Sequence, residues 1–468
     1  MQQRVSTQLL RSKPRTGPGV LPAVLCGLLM GAATARQLHA APDSPPQAAA
    51  EAEQRYSSAW VYKTLSDYHR HYPKLTRLVR LGKSHEGRPI WALAIGGDLG
   101  RSGAGRPSVL INGAHHGIEP LSIELALDAA SVLLLRSGER RTDLRPDKEL
   151  DAKVLRWLAE LVVYCVPVVN PDGIWALQHG NPRSPRKNGR SNPSPTTAAP
   201  GAITHNDGVD LNRNYPFKWG FLGEKGSSAN PASAYYRGPS AGSEPETQAM
   251  MRLADSEHFV ASISYHTGNI TVLAPYTIDG VKSPTPNEAW TVAEELVAGL
   301  PEHPQGKPWA VRKMIYPVDG TDQDFLRARF GTLALLIEGA RKDTAVPEER
   351  RAIVLSARPL WMRLLDRFLD GPAVSGRVLD AAGNPVAAAV SIDEIKTAED
   401  ESWTTRCRDG RFDRYLPAAG RYTLRVKVAG QPDVTRSIEV ASGRTQLDIT
   451  VAAGEKGSNP APCPPEPK

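Results

Sequence analysis

Apolar positions along the chain keep two different periods. From Tyr56 they recur at helical spacing (Tyr62, Leu65, Tyr68, Tyr72), then give way to strand-like runs over residues 76–81 and Pro89–Ile95. Further on, near-continuous apolar runs alternate with helical patterns. A strand over 108–112 precedes a helix over Leu121–Leu135, and a helix over 150–160 precedes a strand over 161–169. A helix over 244–257 leads to a strand over 261–265, and a helix over 323–330 to a strand over 332–337. Strands that are apolar on both faces need cover on both sides. The pattern therefore predicts an α/β fold, a mostly parallel mixed sheet with helices on both faces. Residues 181–240 keep little periodicity and are rich in Pro, Gly, Ser and Asn; an irregular stretch of that length inside a compact domain usually carries function.

After a last helix over 352–369 the period shortens. Alternating runs at 374–379, 387–392, 411–416, 422–428 and 447–451 are separated by Gly383-Asn384, Asp409-Gly410 and Ala419-Gly420. That is the pattern of a small all-β sandwich. The expected organisation is a leader at 1–40, a linker at 41–54, the α/β domain at 55–371, the sandwich at 372–453 and a Pro-rich disordered tail at 454–468.

Composition changes this picture mainly at the N-terminus. Arg4, Arg11, Lys13 and Arg15 precede an apolar run over 20–30, small residues continue to Ala35, and no acidic residue occurs before Asp43. This is a secretory signal pattern with cleavage expected after Ala35 or Ala40, and it places the chain in the periplasm or outside the cell. The run is too short for a spanning helix, which needs about 20 apolar residues, so no stable membrane insertion is expected. Cys26 follows Leu25, where a lipoprotein signal needs a small residue. In an oxidising compartment, Cys165 reads as a buried thiol within an apolar strand, Cys407 and Cys463 are available to pair, and no cysteine has metal-site spacing. The net charge of +7 comes from 57 basic and 50 acidic residues spread along the chain, which argues against a nucleic-acid partner. With 40% hydrophobic and 23% charged residues, the chain is not a coiled coil, a polytopic membrane protein or a disulfide-rich miniprotein.

The chemistry gathers at predicted strand ends. His116 and Glu119 follow the strand over 108–112, and a spacing of three in a first helical turn brings an imidazole and a carboxylate onto one cation. His115 competes for that role but has no carboxylate three residues on. His266 ends the strand over 261–265, and Glu338 ends the strand over 332–337, where a carboxylate on so apolar a run is costly unless paired or working. Open α/β sheets build their sites at the carboxyl ends of strands, and a catalytic zinc takes three protein ligands and leaves one position for water.

Taken in order, His116-x-x-Glu119, Asn170-Pro-Asp-Gly173, Gly208-Val-Asp-Leu-Asn-Arg-Asn-Tyr215, His266, Ile315-Tyr316 and Glu338 resemble the zinc metallocarboxypeptidases of the A, B and T type over about residues 55–370. The stretch 236–247 resembles the bacterial carboxypeptidase T branch, and the sandwich resembles the transthyretin-like domain of regulatory carboxypeptidases. The resemblance implies one Zn2+ on His116, Glu119 and His266, with Glu338 as general base and Asp210 behind His116. It implies Arg213 and Asn212 as the trap for a terminal carboxylate, and Tyr316 as the tyrosine that closes over it. The arginine that stabilises the oxyanion is Arg186 or Arg190, with Arg186 preferred; Arg183 would be an outer-subsite residue or a solvated charge.

The implied activity is removal of single residues from peptide or protein C-termini. A zinc amidase acting on cell-wall peptides and an inactive peptide-binding relative are the alternatives. At the base of the side-chain pocket the resemblance puts Gln323, with Leu336 and Val318 as apolar wall. Thr277 stands where basic-specific relatives carry an Asp, and Asp322 and Asp279, close in sequence, are the candidates to supply that countercharge instead. Broad specificity is expected, with less than roughly hundredfold discrimination. Only about fifteen residues separate the leader from Tyr56, so synthesis as an active enzyme without an inhibitory prosegment is expected.

Overall fold

The computed structural model describes residues 55–99, 105–140, 144–192, 204–397, 399, 401 and 403–452. The leader, linker and tail predicted at 1–40, 41–54 and 454–468, and with them Cys463, lie outside the described residues. Helix α1 (Ser58–His71) starts at Ser57, whose hydroxyl accepts from the Trp60 N–H, and buries Val61 and Leu65. β1 (Thr76–Lys83) and β2 (Pro89–Ile95) pair antiparallel. There follow β3 (Ser108–Gly113), α2 (Leu121–Leu135), α3 (Lys148–Glu160), β4 (Val162–Val166), α4 (Pro171–Gln178), α5 (Pro245–Glu257) and β5 (Ala261–His266). Then come β6 (Asn269–Leu273), α6 (Glu288–Val297), β7 (Val311–Arg312), α7 (Asp322–Phe330), β8 (Leu333–Ala340) and α8 (Pro347–Asp370).

Eight strands form one sheet in the order β1-β2-β4-β3-β5-β8-β6-β7. Its centre, β4-β3-β5-β8, is parallel, and antiparallel pairings join it to β2 on one flank and β6 on the other. Alternate side chains of the central strands serve two cores. Val109 and Ile111 of β3 pack with α1, α2, α3, α6 and α8, whereas Leu110 packs with α5 and α7. β3, β4 and β5 are buried along their whole length, which is why their apolar runs are unbroken. β4 stops at Val166, short of the run predicted to 169, because Pro167 has no N–H for the ladder.

The second part of the chain supplies β9 (Ala373–Leu379), β10 (Ala389–Ile392), β11 (Arg411–Tyr415), β12 (Gly420–Lys427), β13 (Val434–Val440) and β14 (Arg444–Thr450). They make two three-stranded sheets, β10-β12-β13 and β11-β9-β14, around Val374, Phe412, Leu424 and Ile449. Tyr415 joins the core beneath α8, where its hydroxyl donates to the Leu364 carbonyl at 2.9 Å. Elements absent from the sequence reading, α4, α6, β6, β7 and β13, are short or exposed; in β13 only Ile438 and Val440 are buried. Cys165 is a buried free thiol. Cys407 is disulfide-bonded, and its partner lies outside the described residues. Among the described residues no helix is long and apolar enough to cross a membrane.

The carboxyl ends of β3, β5 and β8 lie side by side, with Gly113 opposite Tyr265 and His266 opposite Glu338.

Candidate active site

The turn after β3 carries His116 and Glu119, and its shape is fixed from below. Asn170 caps α4 by accepting from the Gly173 N–H at 2.8 Å, and its amide also donates to the carbonyls of His115 (3.1 Å) and Arg186 (3.3 Å). One side chain thus ties together the two segments that carry the chemistry. A Cβ at Gly117 would overlap the Gly173 carbonyl group, so the turn approaches α4 as closely as it does only because position 117 is glycine; a Cβ at Gly173 would instead meet the Asn170 side chain and the Pro185 carbonyl.

His116 Nδ1 lies 2.8 Å from Glu119 Oε1, and His266 Nδ1, at the end of β5, lies 2.9 Å from Glu119 Oε2. The two Nδ1 atoms are 3.2 Å apart. All three side chains are buried and their ligating atoms fall within 4.8 Å of one another. Two imidazoles and a carboxylate turned inward on one point form a donor set suited to zinc, and three donors leave a position for water. Behind the set, His116 Nε2 is 3.1 Å from Asp210 Oδ1, the partner that fixes a ligating imidazole's tautomer. His115 is turned away: its Nε2 is 3.0 Å from the Tyr215 hydroxyl, and burial pushes its pKa down to about 4.

Glu338 is paired in register with His266, and its Oε2 is buried without a hydrogen-bond partner among the described residues. Burial first, then the nearby Glu119 carboxylate, pushes its pKa up to about 7. A carboxyl in that state exchanges protons near neutral pH.

Asp210 also accepts from Arg186 Nε at 2.8 Å; Arg186 Nη1 is 3.9 Å from Glu119 Oε1, and its buried Nη2 has no partner among the described residues. Arg190 instead donates to Glu244 Oε1 at 3.1 Å, in a cluster with Asn188. Of the two arginines left open by the sequence, Arg186 is the one beside the donor set. Arg183 corrects both readings given to it: it is buried, bonded to Glu86 (2.6 Å) and to the Asp172 carbonyl (3.1 Å).

Asn212, Arg213, Tyr316, Gln323 and Glu338 line one cleft with His116 and His266, walled by Leu273, Met314, Val318 and Leu336. Arg213 donates through Nη1 to the Asn212 carbonyl at 2.7 Å, and its guanidinium sits 5.9 Å from the Tyr235 ring and 6.0 Å from the Tyr316 ring. Asn212 Oδ1 accepts from the Asp322 N–H at 2.9 Å, pinning the start of α7. Tyr316 is 46% exposed. Gln323 Nε2 donates to Thr277 Oγ1 (3.0 Å), and Thr277 in turn bonds Asp324 through its hydroxyl (2.6 Å) and N–H (2.9 Å). Burial pushes the pKa of Asp324 up to about 6. Asp279 is exposed and Asp322 faces His115 at 3.8 Å, so neither lines the cleft.

Two residues escaped the sequence reading. Asp324 lies one hydrogen bond behind the cleft, and Tyr235, 48% exposed, sits 5.1 Å from the Arg186 guanidinium. Each adjoins a motif residue, Gln323 or Tyr236, but adjacency does not say which way a side chain faces.

Comparison with known proteins bears on this site. Residues 61–360 match the family described as zinc carboxypeptidase, and residues 373–452 the carboxypeptidase regulatory-like domain. The chain is similar to metallocarboxypeptidase A of Trichophyton tonsurans, 27% identical over 301 residues that cover 62% of this chain and 63% of the fungal one. To zinc carboxypeptidase A 1 of Anopheles gambiae it is 29% identical over 271 residues, 57% of this chain and 54% of that one. The chain thus spans less than two thirds of the length of these relatives. Bovine thrombin-activatable fibrinolysis inhibitor, in complex with tick carboxypeptidase inhibitor, aligns over 68% of this chain and 98% of its own with a TM-score of 0.53 at 22% identity. Carboxypeptidase A from Helicoverpa armigera gives 0.52 at 20% identity over 67% and 72%. These two likenesses establish the fold. With its match over residues 61–360, the chain belongs to the zinc carboxypeptidase family.

Proposed function

We propose that the chain is an exported zinc carboxypeptidase that hydrolyses the C-terminal bond of peptides and proteins, with residues 55–371 as catalytic domain and 372–453 as a transthyretin-like sandwich. One observation carries the reading. A half-buried carboxylate, Glu338, whose enclosed Oε2 has no hydrogen-bond partner among the described residues, shares a cleft with His116 and His266 of the inward-facing donor set and with the buried guanidinium of Arg213. His116, Glu119 and His266 would hold the metal. Zinc bound there supplies Lewis acidity and a water acidified toward neutral pH.

The chain's own groups account for the rest. Glu338 accepts a proton at Oε2 from the attacking water and hands it to the leaving amine; that oxygen has no hydrogen-bond partner among the described residues and so is available for both transfers. Arg186, braced by Asp210, has Nη2 free for the negative charge that develops on the scissile carbonyl oxygen. Arg213 offers a fork for bidentate binding of the terminal carboxylate, with Asn212 as a neutral donor. Tyr316, on the exposed rim, closes over the bound terminus. Export rests on the leader pattern of residues 1–40.

The pocket that takes the terminal side chain has Gln323 and Thr277 at its base and apolar Val318 and Leu336 on its walls. Asp324 stands behind Thr277 instead of in contact with a ligand. A cationic side chain there lacks a direct countercharge and an apolar one meets polar groups, so both are accepted, with less than roughly hundredfold discrimination. The test is kcat/KM on one peptide scaffold ending in Arg, Lys, Leu, Phe or Glu. Comparable values for basic and apolar ends are expected. A strict basic preference would overturn broad specificity, and no cleavage of any peptide would overturn the activity in favour of an amidase acting on cell-wall peptides.

A further inference from the structure

Helix α7 starts beneath the cleft and runs to the sandwich. Its first turn carries Gln323, and one turn later on the same face lies Arg327, fully buried between the two parts of the molecule. Arg327 donates to Glu288 of α6 and lies 3.8 Å from Glu401, in the segment between β10 and β11. Its guanidinium is 4.8 Å from the Trp403 ring, and that of Arg414 in β11 is 4.9 Å from the same ring. Tyr276, the residue before Thr277, is buried beside the same network: burial first, then the Glu401 carboxylate, raises the pKa of its hydroxyl. Sandwich and pocket segment are also joined through the backbone. Thr285 and Lys396 exchange N–H···O=C bonds of 2.9 and 2.8 Å, and Lys218 pairs with Glu399 at 2.6 Å.

Two arginines and two glutamates buried at one interface are a poor source of stability, since taking each ion out of water costs several kcal/mol and apolar packing would hold the parts together as well. Arg327 Nη2, Glu288 Oε2, both Glu401 oxygens, Trp403 Nε1 and the Tyr276 hydroxyl have no hydrogen-bond partner among the described residues. What the Arg327–Glu288 pair, the Arg327–Glu401 approach and the seating of Arg327 on the Trp403 ring add beyond packing is placement. We propose that Glu401 and Trp403 of the sandwich are positioning residues for the side-chain pocket: by holding Arg327 and flanking Tyr276 they set the orientation of Gln323, and through its hydrogen bond that of Thr277, at its base. The sandwich is then part of the specificity apparatus without touching substrate. This rests on the carboxypeptidase reading above.

The test uses the full chain and three variants. Glu401→Gln removes the charge at nearly constant shape, Tyr276→Phe removes only the hydroxyl, and Arg444→Gln is the control. Arg444 pairs with Glu160 of α3 at 2.7 Å, so its loss weakens the same pair of domains away from α7. The ratio of kcat/KM for Arg-ended and Leu-ended peptides should shift roughly threefold or more in Glu401→Gln, by less but in the same direction in Tyr276→Phe, and not in Arg444→Gln. Amide exchange over residues 276–278 and 322–327 should quicken in the first two variants only. Unchanged ratio and exchange in Glu401→Gln, or an equal shift in Arg444→Gln, overturns the proposal. If Glu401→Gln does not fold, Tyr276→Phe decides on the same criteria. If the wild-type chain cleaves neither peptide, the carboxypeptidase reading fails, and the exchange measurement alone decides the positioning role.

Discussion

Two clusters of buried charge differ in what their unpartnered atoms face. At the carboxyl ends of β3, β5 and β8, Glu338 Oε2 lines a cleft with His116 and His266. Between α7 and the sandwich, the free atoms of Glu288, Glu401 and Arg327 are enclosed by the interface. Proton affinity does not separate working from structural groups. Burial pushes Glu338 up to about 7, Asp324 up to about 6 and Glu246, packed under Asn188, up to about 7. Access separates them: of the three, only Glu338 lines the cleft. A buried carboxylate is therefore read as catalytic where a substrate can reach it, and as architectural where it cannot.

The comparison can be broken at several points. The largest effect is expected from His266→Ala, which removes a donor and should abolish stoichiometric zinc and activity together; metal analysis of the purified variant beside an activity assay checks both. Arg186→Ala should lower kcat by about 10²- to 10³-fold with zinc retained, whereas Arg190→Ala should leave kcat within a few-fold and lower the melting temperature, because buried Glu244 loses one of its two basic partners among the described residues and keeps only His85. The opposite ranking would move the oxyanion role to Arg190. A smaller effect is expected for Asp210→Asn, which leaves the donors in place but loosens the imidazole behind them. Competition with a chelator should show zinc held about 10- to 100-fold less tightly. Unchanged affinity would mean that Asp210 serves Arg186 alone.

Much of the α/β layout was legible because the central strands are buried on both faces, and Val109, Leu110 and Ile111 serve two cores in turn. The donors were legible because His116 and Glu119 stand three apart, although they occupy the single turn ahead of α2 and not the first helical turn that the spacing predicts, and because His266 and Glu338 end apolar runs. Direction was not legible. Nothing in the spacing separates Arg183, buried against Glu86, from Arg186, which faces the donor set; both lie in one irregular segment whose course depends on Asn170 and Asn188. The pocket base has the same origin. Thr277 meets Gln323 and Asp324 across 46 and 47 positions of sequence, a contact made by tertiary packing of α7 and carried by no local pattern. β13 escaped because a strand with one solvated face and few buried positions shows no apolar period.

The central claim is that Glu338 moves the proton while the facing trio holds the metal. Glu338→Gln tests it most directly, since the amide keeps the shape, removes the base and spares every donor. The expected result is one zinc per chain, an unchanged fold and turnover reduced about 10²- to 10⁴-fold on a peptide the wild-type chain cleaves. Near-normal turnover with zinc in place would contradict the role given to Glu338, and loss of zinc from this variant would show that Glu338 belongs to the donor set instead.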